Sequence, residues 1–422
     1  LLRPSTFPRW LAAVALCAGL GAATGAAAQP ELIPTDAENV DVFLLTVGRG
    51  PEVYANYGHT ILRILDKTTG ADLNFNWGIF DFRAPGFAWK FYKGNLRYQM
   101  AIMDFGDLVR HYRQIERRSV VQDRINLTTA QKAKLLERVA WNAQPENVEY
   151  DYNQFWNNCA TKPRDYLDEA LGGRIKARYG RPSHMTFRPM IRRSTAAAAW
   201  AYLGLDMVTN DRFDMPILQW DEMFLPAKLR EHLRELPAFD DAGTPVAGQN
   251  LLGDSRVIVD LPEARDETNP YFLVMLCFGL PLVALLVGAT RAEGKARARL
   301  LGVASLLFGL WAGVWGTLML ANWLLSSYPE GKHNAGLWLL WPLDWVFVAY
   351  GVTLLRKQEV APWRTVDYLA KAHLAGLALV TVIWLAGCVR QDVSAMLSTS
   401  GVLALCLYGT LVALRPRKGA GA

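Results

Sequence analysis

The chain is short of the residues from which disulfide scaffolds and metal centres are built. It has five cysteines and six histidines in 422 residues. Four of the cysteines fall in apolar stretches: Cys17 in an N-terminal leader, and Cys277, Cys388 and Cys406 in candidate membrane helices. Cys159 is then the one thiol expected outside the membrane, and a single thiol excludes an intramolecular disulfide framework. The histidines, at 59, 111, 184, 232, 333 and 373, show no ligand spacing of the His-x-x-x-His kind, so neither a metal nor another cofactor is expected. There is no glycine-rich nucleotide loop, internal repeat or low-complexity tract. The net charge of +6 does not imply a nucleic-acid partner, because much of the excess flanks apolar segments.

What is present divides the chain into three parts. Residues 1–29 read as a secretory signal: Arg3 and Arg9 precede an apolar core from Trp10 to Leu20, and Ala26-Ala27-Ala28 supplies a small-residue cleavage site. Residues 30–268 mix polar and apolar character with no membrane-length run, enough chain for a sizeable core. Residues 269–422 carry apolar stretches at about 271–289, 300–325, 337–355, 368–388 and 397–414, each near the length that crosses a hydrocarbon core. Five spans after a cleaved signal put residues 30–268 outside. The loops then assigned to the inside hold ten basic residues (Arg291, Lys295, Arg297, Arg299, Arg356, Lys357, Arg364, Arg415, Arg417, Lys418), and the short outer loops two, Lys332 and Arg390. The expected location is a bacterial cytoplasmic membrane, multi-pass, with the first domain on its periplasmic face.

Within 30–268, strands are expected at 41–47, 59–66, 72–77, 96–103 and 119–127, and a short helix at 105–113. A helix capped by Thr128 or Thr129 runs to about Trp141. Another begins at Asn157-Asn158-Cys159 and ends at Gly172-Gly173, with Pro163 tolerated in its first turn. A thiol at a helix N-terminus is favoured as thiolate, and His59 at the head of a strand can serve as its base. The backbone N–H groups there, with Asn157 or Asn158, are candidates to hold an oxyanion; capping is the competing role for the two asparagines. Asn74, Asn76 and, further off, Asp81 are candidates to orient His59, with Asn76 preferred. Arg63 shares strand parity with His59 and is a candidate for a phosphate head-group, against the alternative of a surface ion pair. Tyr57 and, in an outer loop, His333 are further substrate candidates. His111 and His184 read as surface residues, and His373 with Lys371 as interfacial ones near the inner end of the fourth span.

Several of these residues together resemble the Lnb N-terminal periplasmic domain family. The run Tyr54-x-x-Tyr57-Gly58-His59-Thr60-x-x-Arg63, the run Phe75-Asn76-Trp77-Gly78-x-Phe80-Asp81-Phe82, Asn158-Cys159-Ala160-Thr161 and five C-terminal spans carry the resemblance. The outer segment His333-Asn334-x-x-Leu337-Trp338-x-x-Trp341-Pro342-Leu343 resembles the family's membrane part. The family includes lipoprotein N-acyltransferases, and the order His before Cys is similar to circularly permuted papain-like proteins. The resemblance implies an α+β permuted papain-like periplasmic domain followed by a five-helix transmembrane domain. It implies Cys159 as nucleophile and His59 as general base, a phospholipid acyl donor in the bilayer, and a lipoprotein acceptor. The rival readings are a Cys-dependent cell-wall peptide or amide hydrolase and a non-enzymatic membrane scaffold.

Overall fold

Alternating apolar residues dominate the first half of the chain. The computed structural model describes residues 32–80, 85–94, 97–263, 269–360 and 364–414, and it assembles these runs into one antiparallel sheet. The leader expected over 1–29 and the candidate Asp81 lie outside the described residues. The strands are β1 (Val40–Val47), β2 (His59–Asp66), β3 (Asp72–Ile79), β4 (Arg97–Asp104), β5 (Val120–Ile125), β6 (Glu149–Asp151), β7 (Pro237–Phe239), β8 (Pro245–Asn250) and β9 (Leu252–Val259). Seven form a sheet in the order β6-β4-β3-β2-β1-β5-β9, and β7 pairs with β8 separately. The expected strands coincide with β1 to β5; the three-residue β6 falls in the run 148–155, itself expected to be extended, and the β7–β9 strands are additions.

The period of two sorts residues onto two faces. Val42, Leu44, Leu62, Ile64, Phe75 and Trp77 join Leu135 and Val139 of the helix Thr129–Ala143 and Tyr166 and Leu167 of the helix Thr161–Ala170 in the main core. Leu45, Val47 and Ile61 form a second cluster with Leu108, Tyr112, Val120 and Val259. Fully burying each such side chain is worth roughly 1.5–3 kcal/mol, so a one-residue slip of β2 would forfeit both clusters at once. One buried polar node locks the helices to the sheet: the Asn142 side-chain oxygen accepts from the Trp77 indole at 2.7 Å and from the Tyr166 hydroxyl at 2.7 Å. The helix Thr129–Ala143 begins with a Thr128–Gln131 capping box.

The described residues fall into two compact units that do not follow chain order. The first takes residues up to Met185 and resumes at Pro216, continuing up to the apolar helices. The second takes Thr186–Met215 together with those helices. Within the second unit, the buried Arg188 bonds Asp206 at 3.0 Å and Asp214 at 2.7 Å. Arg192 joins Asp206 to Asp392, and the Tyr271 hydroxyl donates to Asp206 at 2.7 Å. These charge-assisted bonds fasten the polar segment 186–215 to residues between and at the ends of apolar helices.

Among the described residues, four helices are long and apolar enough to cross a membrane: Pro270–Arg291, Gly294–Leu325, Arg364–Leu385 and Ser394–Ala413. The stretch expected as a continuous span at 337–355 is different. It is a broken pair, Pro329–Trp338 and Pro342–Lys357, bent by 51°, so the count is four, or five if the pair is one span. Pro342 explains the break, since it has no N–H to continue a preceding helix. Gly309 packs against the second half of this pair and Gly316 against the break, so closely that a Cβ would lie 2.6 Å from the Val348 nitrogen and 2.4 Å from the Trp341 carbonyl carbon.

Three sequence expectations change here. Cys388 lies past the end of the helix Arg364–Leu385 and is exposed, so it is not held within an apolar helix. His373 is buried, not interfacial, and bonds Asp344 at 2.6 Å. The helix starts at Arg364 and so places residue 373 about 14 Å along its axis. His111 is not a surface residue either: its side chain is 11% exposed and bonds Glu116.

Candidate active site

His59 and Asn76 are brought together by strand register. Asn76 stands opposite Ile61 across the β2–β3 pair, so it lies diagonal to His59 on the same face. Asn76 is 2% exposed, and its side-chain oxygen lies 3.3 Å from Nε2 of His59. The amide's orientation is fixed by its other end, because Nδ2 donates to the Asn74 carbonyl at 3.2 Å. Oδ1 must therefore face the ring, and Nε2 must carry the hydrogen that it accepts. That tautomer leaves Nδ1 as the imidazole's free lone pair. Of the sequence candidates for this orienting role, Asn76 meets the ring, whereas Asn74 donates to backbone carbonyls of Asp72 and Met103.

Cys159 arrives from the other direction, two residues ahead of the helix Thr161–Ala170. It is 8% exposed. The backbone N–H groups of Thr60, the residue after His59, and of Cys159 and Ala160 face its sulfur closely enough to favour the thiolate. Two glycines make the approach possible. Gly78, in the left-handed region at φ +94°, sits at the bulge in β3, where a Cβ would lie 3.9 Å from Cβ of Cys159 and 3.4 Å from the Tyr152 ring. Gly58, at φ +81°, makes the turn into His59, and a Cβ there would come within 2.9 Å of the Val47 carbonyl. Tyr152, stacked on Tyr98 at 4.2 Å, walls the thiol.

Electrostatics set the resting state. Burial pushes the Cys159 thiol up to about 11, against the Thr60 N–H and the Arg118 cation, which favour the thiolate. Burial, followed by the charge of Arg118, lowers His59 to about 4. At neutral pH Cys159 is therefore a thiol and His59 a neutral imidazole, not a preformed ion pair. Tyr57 is also raised by burial, and its ring leans on Phe224 at 6.4 Å.

The remaining expected residues separate. Asn158 is wholly engaged as a cap: its oxygen accepts from the N–H groups of Ala160 (2.8 Å) and Thr161 (2.9 Å), and its nitrogen donates to the Gln154 and Phe224 carbonyls. Asn157 donates to the Asp151 carbonyl. Asn158 is thus left without a spare donor for an oxyanion, while Asn157 is tied back to the end of β6. Arg63 is held by Asp72 at 2.6 Å and 2.7 Å and lies over the Phe105 ring, about 13 Å along the strand from His59, so it makes an ion pair, but a largely buried one and not the surface pair of the alternative. His333 belongs to the second unit, where its ring packs on Trp323 at 4.6 Å.

The structure adds a group that sequence reading passed over. Arg118, 3% exposed, donates from Nε to the Gly48 carbonyl at 2.8 Å and from Nη1 to Glu116 at 2.5 Å, and Glu116 also bonds His111 at 3.0 Å. Burial opposes the Glu116 charge, but His111 and Arg118 outweigh it and hold the carboxyl down at about 2. Gly50 leaves room for the Arg118 stem, but no local pattern in the sequence announces that the Gly48–Gly50 loop meets the Glu116–Arg118 turn. Among the described residues no three His, Cys, Asp or Glu side chains gather as metal ligands.

A family model of the Lnb N-terminal periplasmic domain matches residues 33–193. This stretch belongs to that family. It contains His59, Asn76, Arg118 and Cys159, so the whole constellation lies inside the Lnb domain. A periplasmic domain family joined to four or five apolar helices describes a membrane protein. No curated protein and no solved structure matches the chain.

Proposed function

We propose that the chain is a thiol acyltransferase that takes an acyl chain from a phospholipid and passes it to the N-terminal amine of a lipoprotein. The observation that carries this reading is the His59 tautomer, fixed by Asn76, on the strand whose next residue, Thr60, acts through its N–H on the only cysteine within the Lnb domain. Sulfur of Cys159 bonds to the ester carbonyl carbon while its proton moves to Nδ1 of His59, and the carbonyl π pair becomes an oxyanion. Collapse re-forms the carbonyl, breaks the ester C–O bond, and returns the proton from His59 to the leaving lysophospholipid oxygen. The neutral α-amine of the acceptor then attacks the thioester, loses a proton to His59, and the thiolate leaves and is reprotonated.

The arrangement, a strand histidine that precedes a helix-start cysteine in the chain, fits a permuted papain-like domain. Both proposed substrates reside in a bilayer, which gives the apolar helices a role beyond tethering. We place the domain on the periplasmic face of the inner membrane on the strength of the family and the ten-to-two distribution of loop basic residues.

The test uses purified full-length protein in proteoliposomes of a radiolabelled-acyl phospholipid. Label should appear on Cys159, be released by hydroxylamine, and coincide with one equivalent of lysophospholipid. Adding a diacylglyceryl-cysteine peptide should move the label to its amine. Label that never enters the protein, while a cell-wall peptide is cleaved, would replace this reading with the hydrolase.

A further inference from the structure

A buried guanidinium rarely leaves a nitrogen without an acceptor, because the missing bond costs about 1–3 kcal/mol. Arg118 does so. Its Nε and Nη1 are anchored on Gly48 and Glu116, while Nη2 is buried with no partner among the described residues. The anchoring aims the group. Gly48 follows Val47, and Val47 is the cross-strand partner both of His59 on β2 and of Val120 on β5. Arg118 stands two residues before Val120, whose side chain shares a face with Val47 and Ile61. Gly50 leaves room for the arginine stem, since a Cβ there would lie 3.0 Å from its Cδ. The cation therefore lies over the end of β1, next to the histidine.

A fixed positive charge beside a general base opposes the imidazolium that catalysis must form. That cost is compensated only if an anion forms within reach of the same charge. A lipid phosphate is a bulky candidate for an almost fully buried nitrogen. The single oxygen of a tetrahedral intermediate on Cys159 is a compact one. The thiol's position agrees, for Arg118 is the leading side-chain charge acting on Cys159. Asn158, spent as a cap, leaves the side-chain share of an oxyanion site unfilled.

We propose that Nη2 of Arg118 is the side-chain donor of the oxyanion site, acting with the backbone N–H of Cys159. The assignment rests on the acyl-thioester reading and names a catalytic residue within it. In the acylation step, Nη2 donates to the oxygen that gains the carbonyl π pair, then releases it when the C–O bond to the lysophospholipid breaks. Glu116 and Gly48 hold the planar guanidinium so that no reorganisation is needed when the charge appears.

The test separates oxyanion chemistry from alkylation of the same sulfur. Hexadecanal adds to a thiol as a thiohemiacetal and needs the oxyanion donor; iodoacetamide alkylates by displacement and does not. Full-length wild-type protein should be inhibited reversibly by hexadecanal, dependent on Cys159. Arg118→Lys keeps the charge but loses the forked donor. It should weaken hexadecanal binding and slow single-turnover lysophospholipid release about 10²–10³-fold, with KM and the iodoacetamide rate at Cys159 near wild type. Arg118→Met should match it in hexadecanal binding. Unchanged hexadecanal affinity in both variants overturns the assignment. So does a parallel fall in both reagents, which marks a merely structural arginine, or a loss seen only in Asn56→Ala, whose buried amide is also unpartnered. If wild-type protein binds hexadecanal no better than Cys159→Ala, the thioester reading itself fails and takes this inference with it.

Discussion

Replacing Asn76 by aspartate tests the centre of the site with a change of one atom type. In the wild type, the Asn76 oxygen lies 3.3 Å from Nε2 of His59 and the base is held neutral, titrating at about 4. A carboxylate at that position would act on an imidazolium with roughly 5 kcal/mol at an effective dielectric of about 20. Part of this is offset by burying the new charge and losing the bond to the Asn74 carbonyl. Neighbouring carboxylates shift titrations by about 1–3 units in practice. The acid limb of the pH–rate profile for acylation should therefore rise from about 4 to about 5–7 in Asn76→Asp. The assay is single-turnover release of lysophospholipid from proteoliposomes between pH 3.5 and 8, with a fluorescence check that the protein is folded at each pH. Asn76→Ala, which loses the orienting contact without adding charge, should slow the reaction and leave the limb where it was or lower it. An acid limb in Asn76→Asp that overlays the wild type would refute the argument, since the titrating base would then not be the imidazole that Asn76 holds.

Three further outcomes follow from the same geometry. Cys159→Ala and Cys159→Ser should abolish acylation with normal accumulation in the membrane, and His59→Ala should lose about 10²–10⁴-fold in rate with little change in melting temperature; an active alanine variant at residue 159 ends the covalent mechanism. Gly78→Ala should cost about 1–3 kcal/mol in thermal stability and also slow acylation, because alanine resists the left-handed conformation at φ +94° and its relaxation shifts the bulge beside Cys159; wild-type values for both would show that the bulge is not constrained. His59, lowered to about 4 from an ordinary value near 6.5, contributes stability that is present above pH 6.5 and lost as pH falls toward 4; His59→Gln should flatten denaturant-measured stability across that window, leaving the separate Glu116 loss between about 4.5 and 2.

Local pattern made half of this site readable. The strict alternation from Asp72 to Trp77 put Asn74 and Asn76 on one face, and the turn at Gly58 put His59 at a strand head; register then chose Asn76. The Asn158 capping geometry was also within reach, since an asparagine ahead of a helix has a known local use. Arg118 was not readable. Its position depends on β5 pairing with β1 across more than seventy residues, and on the returning Gly48–Gly50 loop, neither of which leaves a periodic trace. The same holds for segment 186–215. Its arginines look like a basic surface, yet Arg188 and Arg192 find their carboxylates at Asp206, Asp214 and as far away in sequence as Asp392.

The broken span shows the limit from the other side, because hydropathy registers apolarity and not continuity. Residues 337–355 are apolar enough to suggest one helix, but Pro342 interrupts it and the freed backbone must be satisfied inside the bundle. Asp344 does this: one carboxylate oxygen accepts the Trp341 N–H at 2.8 Å and the other meets Nε2 of His373 at 2.6 Å, with both side chains essentially fully buried. Truncating Asp344 would strand two donors at once, at about 1–3 kcal/mol each. Asp344→Ala should therefore lower the melting temperature in detergent sharply and reduce membrane accumulation, whereas Asp344→Asn, whose single amide oxygen can take only one of the two positions, should be intermediate. His373→Leu in the Asp344→Ala background should recover part of the loss by removing the orphaned ring nitrogen. An Asp344→Ala protein that melts with the wild type would mean that the break is held by helix packing alone, with Gly309 and Gly316 carrying the constraint and the His–Asp pair incidental to it.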